Sequence, residues 1–424
     1  MKIYQYPEPS QYATLLQRPV ADAASLEQTV RTVLEDVKKN GDEAVKRYTQ
    51  QFDKASIDVL QVPAVDFEEA ESLLPASLKQ AILTAKENIT RFHEKQLSEP
   101  EVIETMPGIR CWRKSVGIEK VGLYIPGGSA PLFSTILMLG VPAALAGCRE
   151  IILCSPPDAK GKLHPAILFA AKSVGVTKVF RIGGVQAIGA MTYGTASVPK
   201  VYKIFGPGNQ YVTCAKQLVQ QEGLSIDMPA GPSEVAVYAD ETAPPAYIAA
   251  DLLSQAEHGA DSQVLLVTCS EKVLKAVETA VAEQLATLPR KDIAAKALEN
   301  SKLILMRNES DAMDLLNEYA AEHLILSCEN AEALAAKVIN AGSVFIGNYS
   351  PESVGDYASG TNHTLPTNGY ARAYSGVSVD SFVRKITFQQ LSSEGLQRIG
   401  NTVIEMAEAE GLQAHANAVR VRLQ

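Results

Sequence analysis

Apolar residues recur at helical spacing early in the chain: Leu26, Val30, Val33, Leu34 and Val37 share one face, and Gly41 supplies a stop. Pro75 opens a second long helix, marked by Leu78, Ile82, Leu83, Ile89 and Phe92. His93, in its polar flank, is expected at the surface. From Gly108 the period changes. Residues 110–113 and 121–125 read as strands, and a run of βα units follows: strand 151–154 with helix 165–173, strand 178–182 with helix 185–193, and strand 201–204 with a helix beginning near Asn209. After Gly231-Pro232 a second run begins, with strands at 235–238, 264–268, 303–306, 323–326 and 343–346, separated by helices such as 247–256 and 271–284. Strands alternating with helices of this length predict parallel sheets covered on both faces, here two α/β units.

The remaining segments are smaller. Residues 382–388 read as an edge strand and 396–407 as a helix, followed by an amphipathic end with Leu412, Val419 and Val421. An arm this small cannot form its own core, so it should dock elsewhere. The most apolar stretch, Leu132 to Ala146, is broken by Gly140 and Pro142 and reads as a buried helix; no uninterrupted apolar run reaches membrane-spanning length. With 424 residues, two or more packed units are expected.

Composition narrows the function. A formal net charge of -9 argues against a nucleic-acid footprint. It leaves an anionic cofactor open, because N–H groups at helix ends bind phosphate without a basic patch. Six cysteines lie far apart with no C-x-x-C, as expected of reduced thiols acting as small buried hydrophobes. For Cys148 and Cys154 no basic group is visibly placed to make a nucleophile. The opening residues Met1 to Pro7 lack the apolar core of a secretory leader, and a cytoplasmic location is expected.

Three strand exits in the first unit are glycine-rich: Tyr124-Ile125-Pro126-Gly127-Gly128-Ser129, Gly183-Gly184-Val185-Gln186-Ala187 and Phe205-Gly206-Pro207-Gly208-Asn209. No G-x-G-x-x-G occurs. Each exit follows a strand and precedes a helix, where α/β sheets bind ligands. Glycine lets a backbone approach phosphate, Gln186 and Asn209 offer amides, and Tyr124 offers a ring. Tight βα turns use glycine for steric reasons too. Three in one unit point to a nucleotide site.

Only six histidines occur, and several sit among oxygen and nitrogen ligands: Ser254-Gln255-Ala256-Glu257-His258-Gly259, Ala321-Glu322-His323-Leu324, Gly355-Asp356 through Asn362-His363, and Glu410 through His415. Imidazole, carboxylate and amide oxygen together make a set suited to zinc with an exchangeable position. Gln255 and His258, three apart at a helix end, reach one point. By itself His258 equally fits a core or capping role, and spacing does not show that Asp356 and His415 converge on it. Glu322 and His323 fit an acid/base pair or a helix-terminal Glu beside a partly buried His. His363 reads as a loop organiser and His164 as a surface residue near a helix start.

Together these segments resemble histidinol dehydrogenases from about residue 20 to the C-terminus. The most specific blocks are Ile226-Asp227-Met228-Pro229-Ala230-Gly231-Pro232-Ser233-Glu234, Leu253 to Gly259, Glu322-His323-Leu324, Val354-Gly355-Asp356-Tyr357 and Gly411 to Ala416. The resemblance implies a zinc shell of Gln255, His258, Asp356 and His415, with Glu322 and His323 as the acid/base pair. It implies NAD contacts at Tyr124, Gln186 and Asn209, and substrate contacts at Ser233 and Glu410 in addition to Gln255, His258, His323, Asp356 and His415. The implied activity is oxidation of L-histidinol through L-histidinaldehyde to L-histidine, with two NAD reduced and one zinc per subunit. The implied fold is α/β, two Rossmann-like parallel-sheet units with an N-terminal helical segment and a C-terminal helical arm, in an intertwined homodimer whose arm reaches the partner. The expected division is an N-terminal segment 1–18, a main α/β domain from 19–123 and 233–377, a second α/β domain 124–232, and an arm 378–424.

Two rivals make different demands. A zinc hydrolase using Glu322 would not need three glycine-rich strand exits. A nucleotide-binding regulatory protein would not need Gln255, His258, Asp356 and His415 together.

Overall fold

Strands covered on both faces read as unbroken apolar runs, and such runs form the two parallel sheets of this α/β protein. The computed structural model describes residues 1–18, 23–127, 131–229 and 231–424. Gly128 and Ser129 of the first glycine-rich exit, Ala230 of the Ile226–Glu234 block and the expected boundary at residue 19 lie outside the described residues.

The larger sheet has six strands in the order Lys2–Gln5, Lys302–Leu305, Gln263–Thr268, Glu234–Ala239, His323–Ser327 and Ser343–Ile346, all parallel. The smaller has five, also parallel: Lys178–Arg181, Glu150–Ser155, Lys120–Tyr124, Lys203–Phe205 and Ser225–Ile226. Its chain order reverses between Lys120–Tyr124 and Lys203–Phe205, and a crevice opens beyond the carboxyl ends at such a switch point. The Tyr124 and Gly206–Asn209 exits flank that crevice.

Helix Ala23–Phe52 packs on helices Gly184–Tyr193 and Gln210–Gln221; it runs past the expected stop, with Gly41 at φ +54° as a break inside it. Helix Ala76–Glu94 packs on Phe133–Leu145. These N-terminal helices therefore complete the cores on the two faces of the smaller sheet, and residues such as Val235, Leu266 and Leu324 fill those of the larger. The apolar helix Phe133–Leu145 is buried as expected. Among the described residues no helix is long and apolar enough to cross a membrane.

His93 departs from expectation. It is fully buried, with Nδ1 3.0 Å from Gln96 Oε1 and Nε2 3.4 Å from Asn362 Nδ2, because the turn at residue 362 closes over the end of its helix. The thiols are free but not uniformly buried: Cys154 and Cys328 are buried, whereas Cys269 is exposed.

A third sheet, antiparallel, joins Val383–Leu391 to Ile109–Gly117 and Val102–Met106. It anchors the C-terminal arm, whose helices Ser393–Ala409 and Gln413–Leu423 pack mainly on each other and bury little beyond Gly395, Gly400, Ala407 and Ala416.

Candidate active site

The acid/base candidates stand at the amino end of the larger sheet. His323 begins a central strand and pairs in register with Val235 of the neighbouring strand. The residue is 3% exposed, and Nδ1 lies 3.1 Å from the carbonyl oxygen of Glu234. The Glu234 N–H donates to Glu322 Oε2 at 2.9 Å, so one residue's main chain holds both side chains. Ser233 immediately precedes it, and its carbonyl accepts from Gln263 N.

Asp356 approaches from helix Glu352–Tyr357, with Oδ1 3.4 Å from His323 Nε2 and no hydrogen-bond partner for either atom. Glu352, one turn earlier and 1% exposed, accepts a hydrogen bond from Ser254 Oγ and leaves Oε2 unpartnered. Gln255 sits at the last turn of helix Pro245–Ala256, buried, with Oε1 unpartnered. His258 follows in the loop; burial holds it below the usual imidazole range against the pull of Asp356.

Burial dominates the electrostatics. It pushes Glu322 up to about 7 and, with the Asp356 charge, Glu352 to about 8. Burial also opposes charge on His323, but Glu322, Asp356 and Glu352 outweigh it and push the imidazole up to about 10. Burial works against ionisation of Asp356, yet His323, His363 and His258 hold its carboxyl below the usual range.

These features fit a cation. The Asp356 carboxylate and the His258 imidazole are near enough to shift one another, and the buried Gln255 amide oxygen, three residues before His258, is unpartnered; with the excess of acidic groups this is a donor set suited to zinc. Among the described residues no three His, Cys, Asp or Glu side chains come close enough to hold a metal by themselves. The fourth expected ligand is elsewhere: His415 is exposed on the outer helix Gln413–Leu423, and Glu410 is exposed beside it. Within one chain the fold brings Gln255, His258, Asp356, Glu322, His323 and Ser233 to one region and leaves Glu410 and His415 on the arm.

The nucleotide candidates line one cavity of about 1060 Å³ at the carboxyl end of the smaller sheet. Tyr124, Gln186 and Asn209 all face it. The Gly184 N–H donates to the Tyr124 hydroxyl at 3.1 Å, tying two exits together. Gln186 is fully buried with both amide atoms unpartnered, the mark of a polar group awaiting a ligand. Asn209 caps helix Gln210–Gln221 by accepting from Tyr211 N and Val212 N, which leaves its amide N–H₂ to donate. His363 links the two regions, as a loop organiser should: Nδ1 is 2.7 Å from the Asp356 carbonyl and Nε2 3.1 Å from Thr135 Oγ1, on the helix that follows the Tyr124 exit. His164 caps its helix and is exposed, also as expected.

Sequence reasoning passed over Glu352, Glu234 and Arg18. The four-residue spacing of Glu352 and Asp356 on one short helix was a usable signal. Nothing local marks Arg18, which acts across the fold: it donates to Glu234 Oε1 and Oε2 at 2.5 and 2.9 Å.

A cavity at a sheet switch point, in a fold that also buries an acid/base pair and unsatisfied ligand atoms, suits an α/β oxidoreductase, and this chain is an enzyme of the dehydrogenase class. It belongs to the histidinol dehydrogenase family, whose sequence profile matches residues 16–423. It is 60% identical over 423 residues to a histidinol dehydrogenase of Bacteroides thetaiotaomicron, covering 100% of this chain and 99% of the relative. Identity to the chloroplastic histidinol dehydrogenase of Arabidopsis thaliana is 51% over 429 residues, covering 100% of this chain and 92% of the relative. The crystal structure of histidinol dehydrogenase from Elizabethkingia anophelis superposes with a TM-score of 0.98 at 54% identity, covering 100% of this chain and 98% of that one.

Proposed function

We propose that this protein oxidises L-histidinol through L-histidinaldehyde to L-histidine, reducing two NAD, with one zinc bound per subunit. The observation that carries the reading is the unpartnered Asp356 Oδ1 standing 3.4 Å from the unpartnered His323 Nε2 beside Glu322, in a fold that also leaves the buried Gln255 Oε1 unpartnered. Family membership supports the substrate.

NAD, when bound, supplies the hydride acceptor, and Tyr124, Gln186 and Asn209 would hold it. Zinc, when bound, supplies a Lewis acid that orients an amine and imidazole substrate, and Gln255, His258, Asp356 and His415 would hold it. His323 takes the hydroxyl proton in its neutral form, which a cation held on the Asp356 carboxylate would favour by offsetting the negative charge that raises its imidazole, as the carbinol carbon is oxidised to the aldehyde. Glu322, poised near neutrality, takes a proton from the water that adds to the aldehyde. Having released the first proton to solvent, His323 serves again as the hydrate is oxidised to the carboxylate. Retaining the aldehyde in a buried site suppresses side reactions in water.

Ser233 and Glu410 are assigned to substrate binding, as are the four zinc-shell residues and His323. Because His415 and Glu410 stand on an arm without a core of its own, we assign the active form to a homodimer in which each arm completes the partner's site. The expected boundary at residue 124 would divide the central strand Lys120–Tyr124 of the smaller sheet, and helices Ala23–Phe52 and Ala76–Glu94 pack on that unit, so the second α/β domain is taken as residues 124–232 together with these segments, the main one as centred on 233–377, and the arm as 378–424. Six free thiols suit a reducing cytoplasm.

Mixing the protein with histidinol and NAD should raise NADH absorbance, and exhaustive chelation should abolish it, with zinc restoring it. A hydrolase would yield no NADH, and a regulatory binding protein no turnover.

A further inference from the structure

We infer that Ser254 and Glu352 form a clamp that positions the metal ligands Gln255 and Asp356, so that this part of the cation site is set before a cation enters it. This rests on the zinc reading of Gln255, His258 and Asp356. Gln255 is carried by the last turn of helix Pro245–Ala256, and Asp356 by helix Glu352–Tyr357. Ser254 directly precedes Gln255, Glu352 lies one turn before Asp356, and the Ser254 hydroxyl donates to Glu352 Oε1. Among the described residues this is the one hydrogen bond that joins the two helices.

The helix bearing Asp356 needs such a tie. It has six residues, and no side chain at Pro351 caps its first turn. A helix that short does not hold itself in water, so its orientation is set by what it packs on. Its outward residues Val354 and Tyr357 are exposed, and only Glu352 and Gly355 are buried. Gly355 sits flush on a ring, since a Cβ there would come within 2.6 Å of Phe345. At the far end His363 Nδ1 donates to the Asp356 carbonyl at 2.7 Å. The first turn is therefore held by Ser254 through Glu352 and the last by His363, which leaves the Asp356 carboxylate free to face His323.

Packing alone does not account for Glu352. It is 1% exposed, its Oε2 has no hydrogen-bond partner, and among the described residues no lysine or arginine pairs with it. An apolar side chain would seat a short helix at lower cost than a buried carboxyl group. What the carboxyl adds is direction, because the hydroxyl it takes belongs to the neighbour of Gln255. Gln255 depends on such support. Its amide is a neutral, weak donor, it is 1% exposed, and nothing else hydrogen-bonds its Oε1. Partners that orient a ligand in this way typically contribute about 10–100-fold to metal affinity.

Zinc titration of the metal-stripped, full-length protein against a chromophoric chelator, without substrate or dinucleotide, tests this, with urea unfolding of the same metal-free samples beside it. Ser254→Ala should weaken zinc about 10–100-fold, whereas Ser254→Thr, which keeps the hydroxyl, should bind near the wild type. Glu352→Ala should lose at least as much as Ser254→Ala, and the double variant no more than Glu352→Ala alone, because both changes open one contact. Wild-type zinc affinity in Ser254→Ala, equal losses in Ser254→Ala and Ser254→Thr, or losses that multiply in the double variant overturn the clamp and leave the zinc reading standing. A fall in metal-free stability with zinc affinity intact overturns it too, marking a contact that serves the fold alone. Should Glu352→Ala fail to fold, Ser254→Ala against Ser254→Thr decides. If the wild type binds no zinc, the zinc reading falls and takes the clamp with it.

Discussion

The imidazole Nδ1 of His323 lies 3.1 Å from the main-chain carbonyl of Glu234, so the backbone of one strand orients the ring on the next. That backbone is itself secured. Glu234 is 2% exposed, its carboxylate is gripped by Arg18, and Arg18 in turn lies 4.2 Å over the Tyr319 ring and donates to the Tyr319 carbonyl.

Arg18→Met should leave a buried carboxylate without its cation and destabilise the fold by about 3–5 kcal/mol. Urea unfolding measures this. A loss under about 1 kcal/mol would mean that the pair contributes little to holding the strand.

Glu322 and His323 should be separable. His323→Asn should slow oxidation of both histidinol and histidinal by about 10²–10⁴, because each hydride departure needs a proton removed. Glu322→Gln should act most where water is activated, and more weakly on alcohol oxidation followed alone. Near-normal turnover of histidinal in both variants would remove the pair from the chemistry.

Gly206 is predicted to tolerate no side chain. Its φ is +126°, and a Cβ there would lie 2.0 Å from the Tyr124 carbonyl oxygen. The loop is also pinned by Asp227, which accepts the Gly206 N–H at 2.8 Å, and by Lys216, which donates to the Gly206 carbonyl at 2.8 Å. Gly206→Ala should cost about 2–4 kcal/mol in thermal or urea unfolding and weaken NAD in a titration. A wild-type melting curve with unchanged NAD affinity would contradict the close approach.

Much of this was legible locally. The runs 235–238, 264–268 and 323–326 are long enough and apolar enough to announce buried parallel strands, and the glycine-rich exits announced the switch-point crevice. What was not legible depends on distant partners. Lys2–Gln5 is a strand because it lies beside Lys302–Leu305, and Val102–Met106 because Ile109–Gly117 returns along it. His93 looked solvated because nothing near it in sequence reveals that Asn362 covers it. The carboxyl-end rule located the cavity but not Glu322 and His323, which stand together at the amino end of the strand His323–Ser327, where residues are placed by neighbouring backbone.

His415 offers a test of subunit sharing. If the arm serves a partner, inactive His323→Asn and inactive His415→Asn proteins, denatured together and refolded, should recover roughly a quarter of wild-type activity, since half the dimers are mixed and half their sites intact. No recovery, with heterodimers demonstrated, would place each arm in its own subunit's site.

The most direct test of the account is stoichiometry. Limiting histidinol, supplied to the zinc-loaded protein with excess NAD, should yield two NADH and one histidine per molecule consumed, with no free aldehyde detected by a trapping reagent, and verified metal-free protein should yield none. One NADH per histidinol with accumulating aldehyde, or full yield from metal-free protein, would contradict it.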